Sequence, residues 1–217
     1  MYQLVIGNKV YSSWSMRPWV LMKTLHIPFE EINIPLYTPQ GKQTLLTYHP
    51  AGKVPLLIDK ATEHTVWDSM AIFETLAENH PEKNLWPKDK IARSHARSVA
   101  NEMHSSFNEI RNQLPMNCRA DRAFAPINTP LQNDIDRVCT IWQECRTQFA
   151  AGGDFLLGEF SIADAMFTPV VLRFNSYHIA VGDLEKTYMQ AILNLPCVKD
   201  WIAAGKQDPT IVESYEI

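Results

Sequence analysis

Three serines crowd one short stretch of this chain, Tyr11-Ser12-Ser13-Trp14-Ser15-Met16-Arg17-Pro18. They fall between an apolar run that reads as the end of a strand and a periodic run that reads as the start of a helix. The unpaired N–H groups and the positive dipole end of a helix favour an anion at such a place. A serine hydroxyl there can donate a hydrogen bond to a thiolate, or it can do no more than cap the helix. It is far too weak an acid to serve as a base at neutral pH, so its chemistry would be stabilisation of an anion. A free thiol has a pKa of about 8.5, and lowering it by two takes about 2.7 kcal/mol of preference for the thiolate. One charge-assisted hydrogen bond, about 1.5–3 kcal/mol, together with about 0.3–1 kcal/mol from the helix end, is sufficient.

Two other motifs have the chemistry of a peptide-binding site. Lys53-Val54-Pro55-Leu56 opens a strand with proline, and X–Pro bonds adopt cis at a cost of only about 0.5–1 kcal/mol. A cis bend would leave the Val54 backbone N–H and C=O facing outward, able to pair with a peptide as a short added strand. An ordinary edge proline would give the same letters. Trp67-Asp68-Ser69 precedes a helix, and either Asp68 or Ser69 suits the N-cap. Ala71 and Ile72 follow where a capping box would need Glu or Gln, which leaves that helix end open to a ligand carboxylate. Ser161-Ile162-Ala163-Asp164, by contrast, has the spacing of a capping box and reads as structural.

The elements that must position these motifs follow from periodicity. Residues 3–7 (QLVIG) form a short apolar run, a buried strand. Residues 16–25 suit a helix, with Ser15 as its cap and Pro18 in its first turn. Residues 31–36 alternate as a strand, and Pro35 places it near an edge. A weakly helical stretch covers 40–48, strands cover 54–58 and 63–67, and a clear amphipathic helix covers 69–79. Residues 81–88 read as a linker. From Lys90 the strand signal fades. Ala96, Val99, Ala100, Met103, Phe107, Ile110 and Leu114 recur at helical spacing and predict one long helix. Residues 131–149, 161–173, 184–193 and 198–203 predict further helices. The chain thus changes from α/β to all-α near residue 85.

This order of motifs resembles the cytosolic glutathione transferase family over essentially the whole chain. YSSWSMRP is similar to the SSCSxR signature of the zeta class, with Trp14 where that class has cysteine. GKVPLL, WDS and SIAD match the family's cis-proline, γ-glutamyl-binding and N-capping elements. The resemblance implies an α/β thioredoxin-like N-terminal domain over residues 1–82, a linker over 83–89 and an all-α C-terminal domain over 90–217. It implies glutathione as co-substrate, its thiolate held by Ser12 in zeta-like and tau-like spacing or by Ser13 in theta-like and delta-like spacing, with Ser12 favoured. Val54, beside Pro55, would pair with the cysteinyl part. Asp68 and Ser69 would hold the γ-glutamyl end, and Gln40 and Lys53 would reach the glycyl carboxylate. Trp14 and Arg17 join this set, although Arg17 equally suits a buried structural role.

The same resemblance implies a pocket for a hydrophobic electrophile between the domains, with Tyr11, Trp14, Met103, Phe107 and Arg111 as candidates. Met103 and Phe107 also lie on the apolar stripe of their helix, whereas His104, Asn108 and Arg111 share a neighbouring face that suits solvent. No cysteine precedes Cys118, and family members that reduce mixed disulfides or dehydroascorbate need one at the serine turn, so a redox thiol is not expected. Maleylacetoacetate isomerase, the zeta-class activity, implies a carboxylate-binding arginine in the helix after SIAD. Arg173 is the nearest and lies about one turn early. Conjugation, isomerisation, peroxidase activity and non-catalytic binding all fit the one scaffold. The family also implies a homodimer.

Composition narrows the partners. Net charge is −4, with 46% hydrophobic and 20% charged residues, so a broad electrostatic footprint for nucleic acid or an anionic membrane is not expected. No apolar run reaches the roughly 18 residues of a membrane span. The first residues lack the basic segment and long apolar stretch of a signal peptide, and the expected location is the cytoplasm. The four cysteines, Cys118, Cys139, Cys145 and Cys197, form no CxxC pair and read as reduced thiols. The seven histidines do not cluster, and no metal site is expected.

Overall fold

The computed structural model describes residues 1–216. Its first half is a four-stranded sheet built from β1 (Tyr2–Gly7), β2 (Phe29–Ile34), β3 (Leu56–Asp59) and β4 (His64–Trp67), in the order β2-β1-β3-β4. β1 and β2 are parallel, with Tyr2 opposite Phe29 and Gly7 opposite Ile34. They are joined by α1 (Ser13–Thr24), as a parallel pair requires a crossover. β3 runs antiparallel to β1, and β4 pairs with β3 through a tight turn. β2 is therefore an edge strand, and Pro35 follows it directly, where no ladder N–H is needed.

Each face of the sheet has its own cover. Val5, Ile34, Leu45 and Leu56 form a small core beneath α2 (Pro39–Tyr48). That helix lies so close to the end of β2 that a Cβ at Gly41 would strike the Pro35 carbonyl. The other face joins α1 and α3 (Ser69–Asn79) to the helical half in one continuous core. Val20, Leu21, Ile72 and Phe73 from the sheet side belong to the same cluster as Ala96, Met103, Trp142, Met166 and Phe174.

The helical half comprises α4 (Lys90–Ser105), α5 (Asn108–Gln113), α6 (Thr129–Phe149), α7 (Ile162–Ser176), α8 (Asp183–Leu193) and α9 (Pro196–Gln207). α7 is buried at every position but Asn175 and packs against α1 and α4. No helix among the described residues is long and apolar enough to cross a membrane. The four cysteines are unpaired.

Three sequence expectations need correction. The helix expected at residue 16 begins at Ser13, so Ser12 is its N-cap and Ser15 lies inside it. Pro18 consequently sits in the second turn and not the first. The single long helix expected from Lys90 is broken, because Phe107 adopts φ 64° between α4 and α5. The apolar spacing continues through the break, so periodicity alone could not reveal it. The strands β2 and β3 also lie two residues from their expected starts, at Phe29 and Leu56.

Candidate active site

The end of β1 and the start of α1 bring the serines together. Ser15 Oγ accepts the Gly7 N–H at 3.0 Å and the Ser12 hydroxyl at 2.7 Å, which ties the turn to the sheet. Ser13 Oγ instead accepts from Arg173 Nη2 at 3.3 Å, and its own proton has no acceptor among the described residues. Both Ser12 and Ser13 are buried but reach a cavity of about 260 Å3. Its walls also carry Tyr11, Trp14, Val54, Arg111, Arg173 and Tyr215.

A larger cavity of about 870 Å3 adjoins it across the shared residues Trp14, Leu36 and Val54. This one is lined by Lys42, Lys53, Pro55, Trp67, Asp68 and Ser69. The Val54–Pro55 bond is cis. The β1–β3 ladder starts only at Leu56, and the Val54 backbone N–H and C=O make no hydrogen bond among the described residues. Ser69 Oγ is buried without a partner. Asp68 is the N-cap of α3, accepting the Met70 N–H at 2.8 Å, and holds φ 74°, a backbone region that side-chain-bearing residues rarely enter. Such strain persists where surrounding contacts over-determine it, often at functional sites.

Positive charge gathers behind Trp14. The Arg17 guanidinium lies 4.3 Å from the ring centroid and that of Arg111 lies 4.9 Å away. Arg17 is wholly buried. Its Nε donates to the Met166 carbonyl at 3.1 Å, while both terminal nitrogens lack partners. Burial, then the charges of Arg111 and Arg173, push its pKa well below the usual value. Burial brings Arg173 down to about 9, so it remains a cation at neutral pH. Arg111 donates to the carbonyls of Met103, His104 and Ser106 at the end of α4. Among the described residues no carboxylate pairs with any of the three. The smaller cavity is thus a place for an anion.

Residues 11–79 match the family model for the glutathione S-transferase N-terminal domain. Over these residues the chain carries a glutathione S-transferase N-terminal domain. It is 31% identical over 107 residues to a probable maleylacetoacetate isomerase of Caenorhabditis elegans, a match covering 48% of this chain and 49% of that relative. It therefore aligns with about half the length of that protein. Human glutathione S-transferase omega-2 is 22% identical over 201 residues, covering 93% of this chain and 75% of the relative. A glutathione transferase homologue from Burkholderia, solved with bound glutathione, superposes with a TM-score of 0.71 at 19% identity, covering 95% of this chain and 98% of that one.

The expected site residues separate into four groups. Ser12, Ser13, Trp14, Lys53, Val54, Pro55, Asp68 and Ser69 line the two cavities, as do Tyr11 and Arg111. Arg17 lies behind Trp14 and lines neither cavity. Gln40 is exposed on the first turn of α2 and lies outside the larger cavity's lining, where Lys42 stands instead. Met103 and Phe107 belong to the core and to neither cavity. Their apolar stripe reports packing between helices, which overrides the pocket role expected for them.

Sequence reasoning passed over Arg173 as out of register. A signal was present, since it is the lone cation in the otherwise uncharged run MFTPVVLRF, every residue of which is buried. Tyr37 and Tyr215 carried no signal. Tyr37 reaches the smaller cavity beside Tyr11 from the segment after β2, and Tyr215 reaches it because residues 208–216 fold back there.

Proposed function

We propose that this protein is a glutathione-dependent enzyme in which a serine hydroxyl holds the glutathione thiolate for attack on an electrophile that itself carries negative charge. The larger cavity would take the tripeptide. The Val54 backbone would pair with its cysteinyl unit, Asp68 and Ser69 with the γ-glutamyl end, and Lys53 and Lys42 with the glycyl carboxylate. The sulfur would then lie toward the serine turn and the acceptor in the smaller cavity. The observation that carries this reading is Ser13. It has an uncommitted proton, a buried guanidinium donating to its oxygen, and a place on the wall between the two cavities. Sequence spacing favours Ser12, but the Ser12 proton is given to Ser15.

The test is the pH dependence of conjugation with a generic aryl halide. Ser13→Ala is expected to raise the apparent thiol pKa by about 1–2, the equivalent of one charge-assisted hydrogen bond. Ser12→Ala is expected to raise it by less than about 0.5. The reverse order would transfer the role to Ser12, and no change in either variant would remove both.

A second reading is a glutathione-dependent cis–trans isomerase. It is supported by Arg173 at the acceptor cavity and by a relative named as a probable maleylacetoacetate isomerase. The thiolate would add to a conjugated alkene, forming an S–C bond and moving an electron pair onto the carbonyl oxygen. Rotation about the resulting single bond and expulsion of the sulfur would then return glutathione unchanged. Isomerised product without consumption of glutathione supports this reading, and stoichiometric conjugate opposes it.

A further inference from the structure

We propose that His104, from the helical half, is a positioning residue that aims the Asp68 carboxylate at the γ-glutamyl ammonium group, so that the tripeptide site is complete only when the two halves are docked. The proposal rests on the glutathione reading above and concerns a residue outside the cavity walls.

Asp68 has two fixed contacts, one on each oxygen. Oδ1 accepts the Met70 N–H at 2.8 Å, and Oδ2 lies 3.2 Å from His104 Nε2. The side chain is otherwise open, 45% exposed, so without His104 only the cap contact would orient it. A carboxylate offers about four lone-pair directions, and two remain for a ligand in the larger cavity. His104 in turn is held by packing: its ring meets Trp14 edge-on at 5.3 Å, while its Nδ1 is buried without a partner.

The charge state suits the task. The groups facing His104 are Asp68 from α3, Arg17 and Trp14 from α1, and Arg111 from α5. Burial and the two guanidiniums push its pKa down, against the pull of Asp68. A neutral imidazole carries a single proton, and with Nδ1 buried and unpartnered it is Nε2, 3.2 Å from Oδ2, that is turned to the carboxylate. A neutral polar neighbour biases the direction of Asp68 yet leaves its negative charge for an ammonium ion. A lysine or arginine in the same place would fix it and neutralise it.

The experiment compares two thiols as co-substrates, glutathione and cysteinylglycine, which lacks the γ-glutamyl group. His104→Ala is expected to raise KM for glutathione about tenfold, the loss of one polar contact to a charged group, with kcat within about twofold. KM for cysteinylglycine is expected to stay the same. His104→Gln, whose amide can donate to Asp68, is expected to recover most of the affinity. His104→Asn, too short to reach, serves in place of alanine should that variant be unstable, with thermal melting as the control. An unchanged KM for glutathione, or an equal rise for both thiols, would overturn the proposal. Failure of the unaltered protein to bind glutathione would instead overturn the reading on which it rests.

Discussion

Ser12 and Ser13 are one position apart and differ in what they touch. One hydroxyl is spent inside the turn on Ser15, and the other is polarised by Arg173 at the cavity wall. Arg173 touches Ser13 and lines the smaller cavity, and on the proposed reading it serves both the serine and an incoming acceptor. Its Nε and Nη1 are anchored on the Leu114 and Pro169 carbonyls at 2.8 Å and 3.4 Å, so the guanidinium is held rather than free to swing. Arg173→Gln is expected to lower kcat/KM about 10- to 100-fold for an acceptor bearing a carboxylate, the worth of one buried charge-assisted contact. For a neutral aryl halide of similar size the loss is expected to stay below about threefold. Parallel kinetics on the two acceptors check this, and equal losses on both would confine Arg173 to supporting Ser13.

At the scale of elements, α7 is the post against which the serine turn is set. Its N-terminus is closed by Asp164, which accepts the Ser161 N–H at 2.9 Å, the Ser161 hydroxyl at 3.0 Å and the Leu156 N–H at 2.9 Å. Burial pushes the Asp164 carboxyl up to about 6, against the opposing pull of those hydrogen bonds. A carboxyl that is harder to ionise in the folded protein holds its proton more tightly there than in the unfolded chain. Its contribution is fully present below about pH 4 and is lost as pH rises through about 6. The difference corresponds to about 3 kcal/mol. Denaturant titrations at pH 4.5 and 7 are expected to show about two thirds of this fall, about 2 kcal/mol, in the unaltered protein. Asp164→Asn, which cannot titrate, is expected to flatten the curve across that window while lowering stability by about 1–3 kcal/mol through its poorer acceptors.

At the scale of the whole molecule, the segment 208–216 folds back so that Tyr215 forms part of the smaller cavity. Arg119 donates to the Asp208 and Thr210 carbonyls at 2.8 Å and 3.0 Å, to Tyr11 Oη at 2.5 Å and to Glu216 Oε1 at 2.6 Å. Tyr11 Oη also donates to Glu216 and accepts the Val212 N–H, so its hydroxyl is committed to the tail and only its ring faces the cavity. The Tyr215 ring packs tilted against that of Tyr11, with centroids 5.2 Å apart, and forms part of the wall. Arg119→Ala is expected to loosen this clasp. Limited proteolysis within residues 208–216 should accelerate about tenfold or more, because the segment would open at lower free energy. KM for the acceptor is expected to rise a few-fold, while glutathione affinity stays within about twofold, since the tail does not line the larger cavity. Mass-spectrometric mapping of the cleavage sites, with kinetics on both substrates, checks both parts.

Local chemistry made much of this protein legible from its letters. The change from α/β to all-α, the span 69–79 of α3, the Val54-Pro55 and Asp68-Ser69 motifs and the Asp164 box all depend on residues close together in the chain. Proline, a cap residue and helical spacing act through the backbone of their own neighbourhood, and the family resemblance joined them into one expectation. What depended on distant partners was not legible. The fate of each serine proton was decided by Ser15 and Arg173, the break at Phe107 by the packing of α4 and α5 on the core, and the withdrawal of Met103 from the pocket by the same core. The pairing of His104 with Asp68 and the return of Tyr215 to Tyr11 likewise join residues 36 and 204 positions apart in the chain. Periodicity names the face a residue takes but not the neighbour it meets there, and at this site the neighbour settles the chemistry.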